Sequence, residues 1–191
     1  MTGPHDHIGI IPALWLAWVA YWLVAARSVK PTRWREPAGS QACHVIPLLL
    51  CAGLLGLPRA FPPTLTTRFA SPGPLLSLIG TLCVGSGLGL AVWARRHLGR
   101  NWSGIITLKD DHALVRTGPY RTVRHPIYTG LLLALIGTAL AIGEWRGMLA
   151  VAFALLAFLW KIHAEEAQMQ RIFPEYEAYR RQSAALIPLL Y

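Results

Sequence analysis

The chain has 191 residues, of which 54% are hydrophobic and only 14% charged, and its formal net charge is +9. A mean hydropathy of +0.41 is unusual for a soluble domain of this length and indicates a polytopic, all-α integral membrane protein. The three cysteines, Cys43, Cys51 and Cys83, lie in or beside apolar stretches without paired spacing. Neither a disulfide framework nor a zinc site follows from them.

Five apolar runs predict transmembrane helices, which need about 20 mostly apolar residues each. They cover residues 8–26, 44–57, 75–94, 127–142 and 148–160. No basic region precedes the first run, so we expect it to be a retained helix rather than a cleaved signal. The second run is short, contains Pro47 and is expected to extend toward Phe61.

A five-residue turn, 143–147, joins the fourth and fifth runs and predicts a helical hairpin. From Lys161 to Arg181 the pattern predicts a helix that leaves the membrane, with Lys161 and Glu165 at i,i+4 spacing. We therefore expect a single membrane domain over 1–191. Residues 1–94 would supply three helices, and residues 95–191 a long polar loop, the hairpin and a C-terminal helix.

The basic residues are concentrated in segments that five helices would place on one side of the membrane. Connectors 27–43 and 95–126 and the tail after Trp160 hold fifteen of the eighteen Lys and Arg residues. The positive-inside rule then predicts an outside N-terminus, with the long loop and the C-terminus in the cytoplasm of an inner or plasma membrane. A four-helix topology without the second run would scatter these charges. The basicity therefore requires no nucleic-acid partner.

A glycine-rich segment, 84–89 (VGSGLG), superficially resembles a nucleotide-binding loop. Such a loop follows a strand and opens a helix, whereas this segment lies inside an apolar run of helical length. Gly85 and Gly89 have GxxxG spacing, which favours close approach of another helix. The seven histidines are dispersed, and neither HExxH nor CxxC is present, so no metal site is expected.

Two polar patches invite a functional interpretation. The loop from Leu114 to Gly130 combines basic residues with prolines and aromatic rings between two apolar runs. Glu165 and Glu166 follow the fifth run by about one helical turn, where acids are costly unless they are paired or face a polar cavity. Because the hairpin turn is short, we expect His125 and Tyr128 to lie beside these glutamates and enclose a polar site. The alternative is an Arg–Glu ion pair that only locks the hairpin, and both interpretations are compatible.

Five blocks resemble the isoprenylcysteine carboxyl methyltransferase family, which is related to membrane phospholipid methyltransferases. They are His97–Ser103 (HLGRNWS), His112–Val115 (HALV), Gly118–Arg121 (GPYR), Arg124–Gly130 (RHPIYTG), and Glu165–Glu166 with Phe173 and Glu175–Tyr179 (EYEAY). They occur in family order over residues 95–190. Pro174 replaces a usual glycine, and the tail lacks a usual arginine at 182–185.

The resemblance implies S-adenosylmethionine as methyl donor, S-adenosylhomocysteine as product and no metal. The residues it implies for the cofactor are His112, Leu114, Val115, Tyr120, Arg121, His125, Pro126, Tyr128, Glu165, Glu166 and Tyr176. Those expected to act in catalysis are Arg124, His125, Tyr128 and Glu166. Methyl transfer from a sulfonium is a displacement in which the protein supplies position and a water-poor site.

The acceptor stays open at this stage. We expect a lipophilic acceptor reached from the bilayer: an isoprenylcysteine-type carboxylate, a phospholipid amine or a small hydrophobic thiol. His125 is a candidate base for an amine or thiol, or a structural imidazole for a carboxylate. Two alternatives of another class are a sterol-reductase-like enzyme that uses NADPH and a non-enzymatic scaffold that binds anionic lipids.

Overall fold

The computed structural model of the protein describes residues 9–28, 32–35, 37–71, 73–99, 102, 107–109 and 114–188. The helices in these segments are α1 (Ile11–Ala25), α2 (Ala38–Gly56), α3 (Pro74–Leu98), α4 (Pro126–Ile142), α5 (Trp145–Ile172) and α6 (Tyr176–Gln182). Single 3₁₀ turns occupy Ala26–Ser28, Pro58–Ala60, Pro63–Thr66 and Gly118–Arg121. The expected helical membrane fold is confirmed.

Each predicted apolar run corresponds to a helix. By length and composition, α2, α3 and α5 are able to cross a membrane, whereas α1 and α4 are apolar but only 15 and 17 residues long. Helix α2 begins six residues before the predicted start and accommodates Pro47 in its interior. Membrane crossing by all five helices therefore remains a prediction.

A two-stranded antiparallel ribbon is the one departure from a purely helical fold among the described residues. Strand β1 (Thr32–Arg35) pairs with β2 (Thr107–Lys109). This pairing places the connector after α1 and the loop after α3 at the same end of the bundle. Helices α2 and α3 separate the two strands in the chain. The chain returns to the same end of the bundle only if α2 runs the length of the bundle as α3 does, so the ribbon supports counting α2 as a full helix of the bundle.

Glycines bring α3 and α4 into close contact, but not the glycines that the sequence pattern indicated. A Cβ added at Gly80 would lie 2.6 Å from the Gly137 carbonyl oxygen, and Gly87 is packed equally tightly against Gly130. Gly85 and Gly89 have no neighbour within 4 Å of such a Cβ. Their predicted role in this packing is therefore wrong, because α3 turns the other side of its helix toward α4.

The hairpin between α4 and α5 is confirmed and turns at Gly143, whose φ of +66° favours glycine. A charged group that we call the turn cluster (Arg68, Glu144 and Arg146) stabilises it. The Arg146 Nε donates to Glu144 at 2.5 Å, and its NH1 donates to the carbonyls of Leu54 and Leu55 at 2.6 and 2.9 Å. These carbonyls belong to the last turn of α2, where carbonyl groups have no partner within the helix. Arg146 therefore joins α2 to the hairpin.

Helix α5 is longer than the predicted apolar run. Its 28 residues span about 42 Å, more than the roughly 30 Å of bilayer hydrocarbon. This length leaves room for the residues after Trp160, which include Glu165 and Glu166, to lie beyond the hydrocarbon core. The continuous helix predicted from Lys161 to Arg181 is wrong: α5 ends at Ile172 and α6 begins at Tyr176. Pro174 explains the break, since a proline disfavours helical backbone in the preceding residue.

The tryptophans fall into two groups. Trp15, Trp18 and Trp22 of α1 contact one another in series, and the Trp15 indole donates to Thr138 of α4 at 3.0 Å. They are therefore part of the packing between helices. Trp93, Trp145 and Trp160 are about half exposed. Trp145 begins α5, Trp93 lies in the last two turns of α3, and Trp160 lies inside α5 where its apolar run ends, so all three suit an interfacial belt.

Candidate active site at the base of the helical hairpin

The start of α4 is fixed by the C-terminal tail. Pro126 occupies the first turn of α4, where its missing N–H costs nothing. Just before it, the backbone N–H groups of Arg124 and His125 donate to the carbonyls of Ala184 and Ala185 at 2.8 and 3.0 Å. We call residues 183–186 the tail strap. It holds the Arg-His-Pro turn in one orientation beside α5.

The two predicted polar patches meet at this point, and together they form what we call the tail cluster (Arg124, His125, Glu165 and Glu166). The Arg124 Nε donates to Glu166 Oε1 at 2.7 Å, with both side chains about nine-tenths buried. The Arg124 NH1 donates to the carbonyls of Arg180 and Ser183. The guanidinium therefore anchors α5, α6 and the tail strap to the start of α4.

The imidazole of His125 lies between the two carboxylates. Its Nε2 is 3.2 Å from Glu166 Oε1, and its Nδ1 is 3.5 Å from Glu165 Oε2. The Tyr128 hydroxyl donates to Glu165 Oε1 at 2.8 Å. The expected juxtaposition is confirmed. The patches touch directly, however, so a cofactor would lie beside them and not in a space between them.

Three rings stack next to the cluster. The His125 and Tyr128 rings are 5.6 Å apart and nearly parallel, and the Tyr128 and Phe158 rings are 4.9 Å apart. The Lys161 ammonium lies 5.8 Å from the centre of the Tyr128 ring. The stack extends from the polar cluster into the apolar core, which contains Phe158.

The cluster changes the proton affinities of its members. Burial alone would lower the pKa of His125, but hydrogen bonds to Glu165 and Glu166 outweigh it and raise the pKa. Burial alone would raise the pKa of Glu166, but His125 and Arg124 lower it to about 2. The cluster therefore favours an imidazolium between two carboxylates. Strongly perturbed groups of this kind are concentrated at functional sites.

The least engaged oxygen is Glu166 Oε2. Its contact with Arg180 is 3.6 Å, and the Arg180 side chain is half exposed. This oxygen retains lone pairs that can accept hydrogen bonds from hydroxyl or ammonium groups of a ligand. Within the described segments, no group of three His, Cys, Asp or Glu side chains is arranged to hold a metal ion.

The remaining predicted residues lie at different distances from the cluster. Tyr176 is buried, and burial is the main reason that its pKa is raised. The negative charge of Glu166 raises this pKa further. Tyr120 is buried, and its carbonyl accepts from Tyr179 at 2.6 Å. Val115 packs in the same apolar group as Tyr120 and Tyr128.

Leu114 is half-buried and Arg121 is exposed, and neither has a polar side-chain contact described with the cluster. His112 lies outside the described residues. The structure therefore brings Arg124, His125, Tyr128, Glu165 and Glu166 into one contact network and leaves Arg121 apart.

Sequence reasoning did not include several residues that shape this site. They are Phe158, Lys161, Arg180 and the tail strap. Phe158 and Glu165 are seven residues apart on one face of α5, a spacing from which the ring could have been found. The tail strap acts through backbone groups, which leave no signal in residue type.

The chain is similar in sequence to known proteins. The sequence model of the phospholipid methyltransferase family matches residues 75–176, from the start of α3 to the start of α6. A protein-S-isoprenylcysteine O-methyltransferase of Schizosaccharomyces pombe is 34% identical over 118 residues, 60% of this chain and 49% of that protein. A cobalt-zinc-cadmium resistance protein of Cupriavidus metallidurans is 34% identical over 123 residues, 61% and 51% of the two chains.

The fold is also similar to a solved structure, a eukaryotic intramembrane Ras methyltransferase described as an isoprenylcysteine carboxyl methyltransferase. The TM-score is 0.57 at 24% identity, over 81% of this chain and 55% of that one. The chain spans about half the length of the curated relatives it matches. On the match over residues 75–176, which include the whole tail cluster, the chain belongs to the phospholipid methyltransferase family.

Proposed function

We propose that this protein is a membrane methyltransferase that uses S-adenosylmethionine to methylate a lipophilic acceptor. The observation that carries the proposal is the tail cluster, in which a buried histidine lies between two glutamates at the end of a membrane helical hairpin. A cluster that only locked the hairpin would need one ion pair. This cluster has a second carboxylate, a titratable imidazole and an aromatic stack.

The residue types suit the cofactor. When bound, S-adenosylmethionine supplies an electrophilic methyl group on a cationic sulfonium. Glu166 Oε2 is placed to accept a hydrogen bond from a ribose hydroxyl or an amino group. Arg124 is already engaged with Glu166 and two carbonyls, so its role is to position Glu166. Arg121, which is exposed, is the better candidate for an anionic cofactor group.

The names of the relatives and the membrane setting support a lipophilic acceptor. We propose an isoprenylcysteine-type carboxylate as the first candidate, as the names of several relatives indicate. A phospholipid amine or a hydrophobic thiol is the alternative, favoured by the histidine between two carboxylates. In that case the imidazolium that the cluster favours would first release its proton, and the neutral His125 would then take the acceptor's proton, a step that a carboxylate acceptor does not require.

The orientation belongs to the same proposal. We place the tail cluster at the cytoplasmic face, because the segments around it hold most of the basic residues. This places the site where a soluble cofactor and a lipid headgroup can both reach it. A fusion reporter at the C-terminus that is active only in the cytoplasm would test this orientation.

The direct test incubates purified protein with isotopically labelled S-adenosylmethionine and separate pools of prenylcysteine, phospholipid and thiol acceptors. We expect label in one pool with the wild-type protein and its loss with Glu166→Gln. Glu177→Gln changes an exposed glutamate of α6 and should retain the activity. Label in no pool, with a folded protein that binds neither the donor nor its product, would contradict the proposal.

The same preparation tests the alternative of a nicotinamide enzyme. A sterol-reductase-like protein would bind NADPH and consume it with a sterol acceptor, which we expect not to occur. The family match over residues 75–176 favours methyl transfer over reduction.

A further inference from the structure

A groove lies on the outer face of α3, away from the close contact with α4. Its volume is about 420 Å³, and it is lined by Gly89, Val92, Trp93, Arg96 and His97. This is within the range of sites that hold small molecules or lipid chains. Helix α3 has two glycine-bearing faces: Gly80 and Gly87 contact α4, and Gly85 and Gly89 do not.

The floor of the groove is open because Gly89 has no side chain and nothing lies within 4 Å of the position of a Cβ there. Trp93 forms a wall and is 52% exposed. Trp93 follows Gly89 by four residues, so the two lie on one helix face. This apolar part of the groove faces the surroundings of the bundle, which in a membrane protein are lipid chains.

The other end of the groove is basic. Arg96 is exposed, and no acidic side chain in the described part of the chain pairs with it. His97 is also exposed, and its Nε2 lies 2.8 Å from the Thr117 hydroxyl, which holds it at the groove mouth. These residues end α3 at the same end of the bundle as the tail cluster, since the Tyr120 hydroxyl reaches the Ala94 carbonyl. The groove therefore passes from apolar to cationic where the helix leaves the membrane.

We propose that this groove binds an anionic phospholipid, with an acyl chain over Gly89 against Trp93 and the phosphate headgroup at Arg96. The charge favours a lipid over a second copy of this chain. A two-fold symmetric contact through this face would place Arg96 near its equivalent and cause repulsion. Basic pockets at the ends of membrane helices commonly hold anionic headgroups. The site is separate from the tail cluster and does not depend on methyl transfer.

The test uses the exposed tryptophan as the probe. Purified protein is reconstituted in two series of nanodiscs, with increasing mole fractions of brominated phosphatidylglycerol or of brominated phosphatidylcholine in an unbrominated background. Bromine quenches nearby indoles, and the Trp93 signal is the difference between the wild-type protein and Trp93→Phe. We expect quenching of Trp93 by phosphatidylglycerol at about fivefold lower lipid fraction than by phosphatidylcholine, the ratio that one cation near the headgroup supplies.

Three variants define the groove. Arg96→Gln should remove the preference for phosphatidylglycerol while leaving the helix intact. Gly89→Leu should fill the floor and reduce Trp93 quenching by both lipids, because the new side chain occupies the space of the acyl chain. Nothing in the protein lies within 4 Å of a Cβ at this position. Gly85→Leu is the matched control, since Gly85 is equally open but lies one turn away and does not line the groove.

Circular dichroism and the melting temperature establish that each variant is folded. Equal quenching by the two lipids in the wild-type protein would overturn the proposal, as would equal effects of Gly85→Leu and Gly89→Leu. A change in oligomer mass with Gly89→Leu, without a change in lipid preference, would assign the groove to a second copy and also overturn it.

Discussion

The two ends of the α4–α5 hairpin carry buried charges that are used differently. In the turn cluster, the Arg146 side chain is buried, with 3% of the residue exposed, and it donates hydrogen bonds to Glu144 and to the last carbonyls of α2. In the tail cluster, Arg124 likewise donates to Glu166 and to two backbone carbonyls, but Glu166 Oε2 has only a long contact to Arg180. Each cluster has one loosely paired carboxylate oxygen, Glu144 Oε1 at 3.9 Å from Arg68 and Glu166 Oε2 at 3.6 Å from Arg180. Only the tail cluster adds a titratable imidazole and a second glutamate beside that oxygen.

This difference separates two roles for buried charge. Breaking a buried pair is destabilising wherever it occurs, because the remaining charge is left without compensation. Only a cluster with a loosely paired oxygen and a titratable group can also bind a ligand and transfer a proton. We therefore expect substitutions in the tail cluster to lower methyl transfer per folded molecule, and substitutions in the turn cluster to lower the free energy of unfolding.

The largest effect is expected for Glu166→Gln. We expect methyl transfer per folded molecule to fall about 100-fold or more, the scale on which loss of one positioned polar group affects catalysis. The neutral amide no longer pairs with Arg124 or orients His125. The check is a labelled-methyl assay at saturating donor, with Glu177→Gln as the control. A loss smaller than tenfold would place Glu166 outside the active site.

The next effect sharpens the comparison from the other end. Arg146→Met should destabilise the protein by about 3–5 kcal/mol, since it leaves Glu144 and the α2 carbonyls without their main partner. Methyl transfer per folded molecule should not change at a temperature where the variant is folded. Thermal unfolding in detergent, followed by circular dichroism, measures the first quantity. Loss of activity in fully folded Arg146→Met protein would contradict the division of roles.

A smaller effect tests the contact that positions the start of α4. Gly87→Ala should destabilise the protein by about 1–3 kcal/mol, because the added methyl group meets the backbone of Gly130 and Ala134. Gly85→Ala, on the open face of the same helix, should change stability by less than about 0.5 kcal/mol. Thermal unfolding of the pair decides the point. Equal effects would mean that α3 contacts α4 through a different face.

The smallest expected effect is a pH dependence of stability. The raised pKa of His125 means that its imidazolium stabilises the fold fully below its unfolded value of about 6.5. This contribution is lost as the pH rises through the higher folded value. The melting temperature of the wild-type protein should therefore fall on the alkaline side more steeply than that of His125→Gln. Parallel curves would indicate that His125 is neutral in the folded protein.

The sequence was sufficient for the hairpin and for the meeting of the two polar patches. A short turn forces α4 and α5 to be antiparallel neighbours, so His125 and Glu166 must lie at one end. The sequence did not allow prediction of which face of α3 packs against α4, since nothing in the sequence distinguishes Gly80 and Gly87 from Gly85 and Gly89. That choice depends on the shape of α4, where Gly130 and Gly137 provide matching space.

Other features depend on long-range backbone pairing. The ribbon of β1 and β2 joins segments more than 70 residues apart, and the tail strap reaches the Arg-His-Pro turn through carbonyls of two alanines. Neither pairing has a local signal. The break before α6, in contrast, could have been predicted from Pro174, because a proline interrupts a helical pattern at the residue before it.

The most direct test of the central claim is isothermal titration of S-adenosylhomocysteine into the purified protein. We expect saturable binding by the wild-type protein and by folded Arg146→Met, and at least about tenfold weaker binding by Glu166→Gln, a loss of roughly 1.4 kcal/mol. Wild-type affinity in Glu166→Gln would show that the tail cluster only locks the hairpin and does not hold the cofactor.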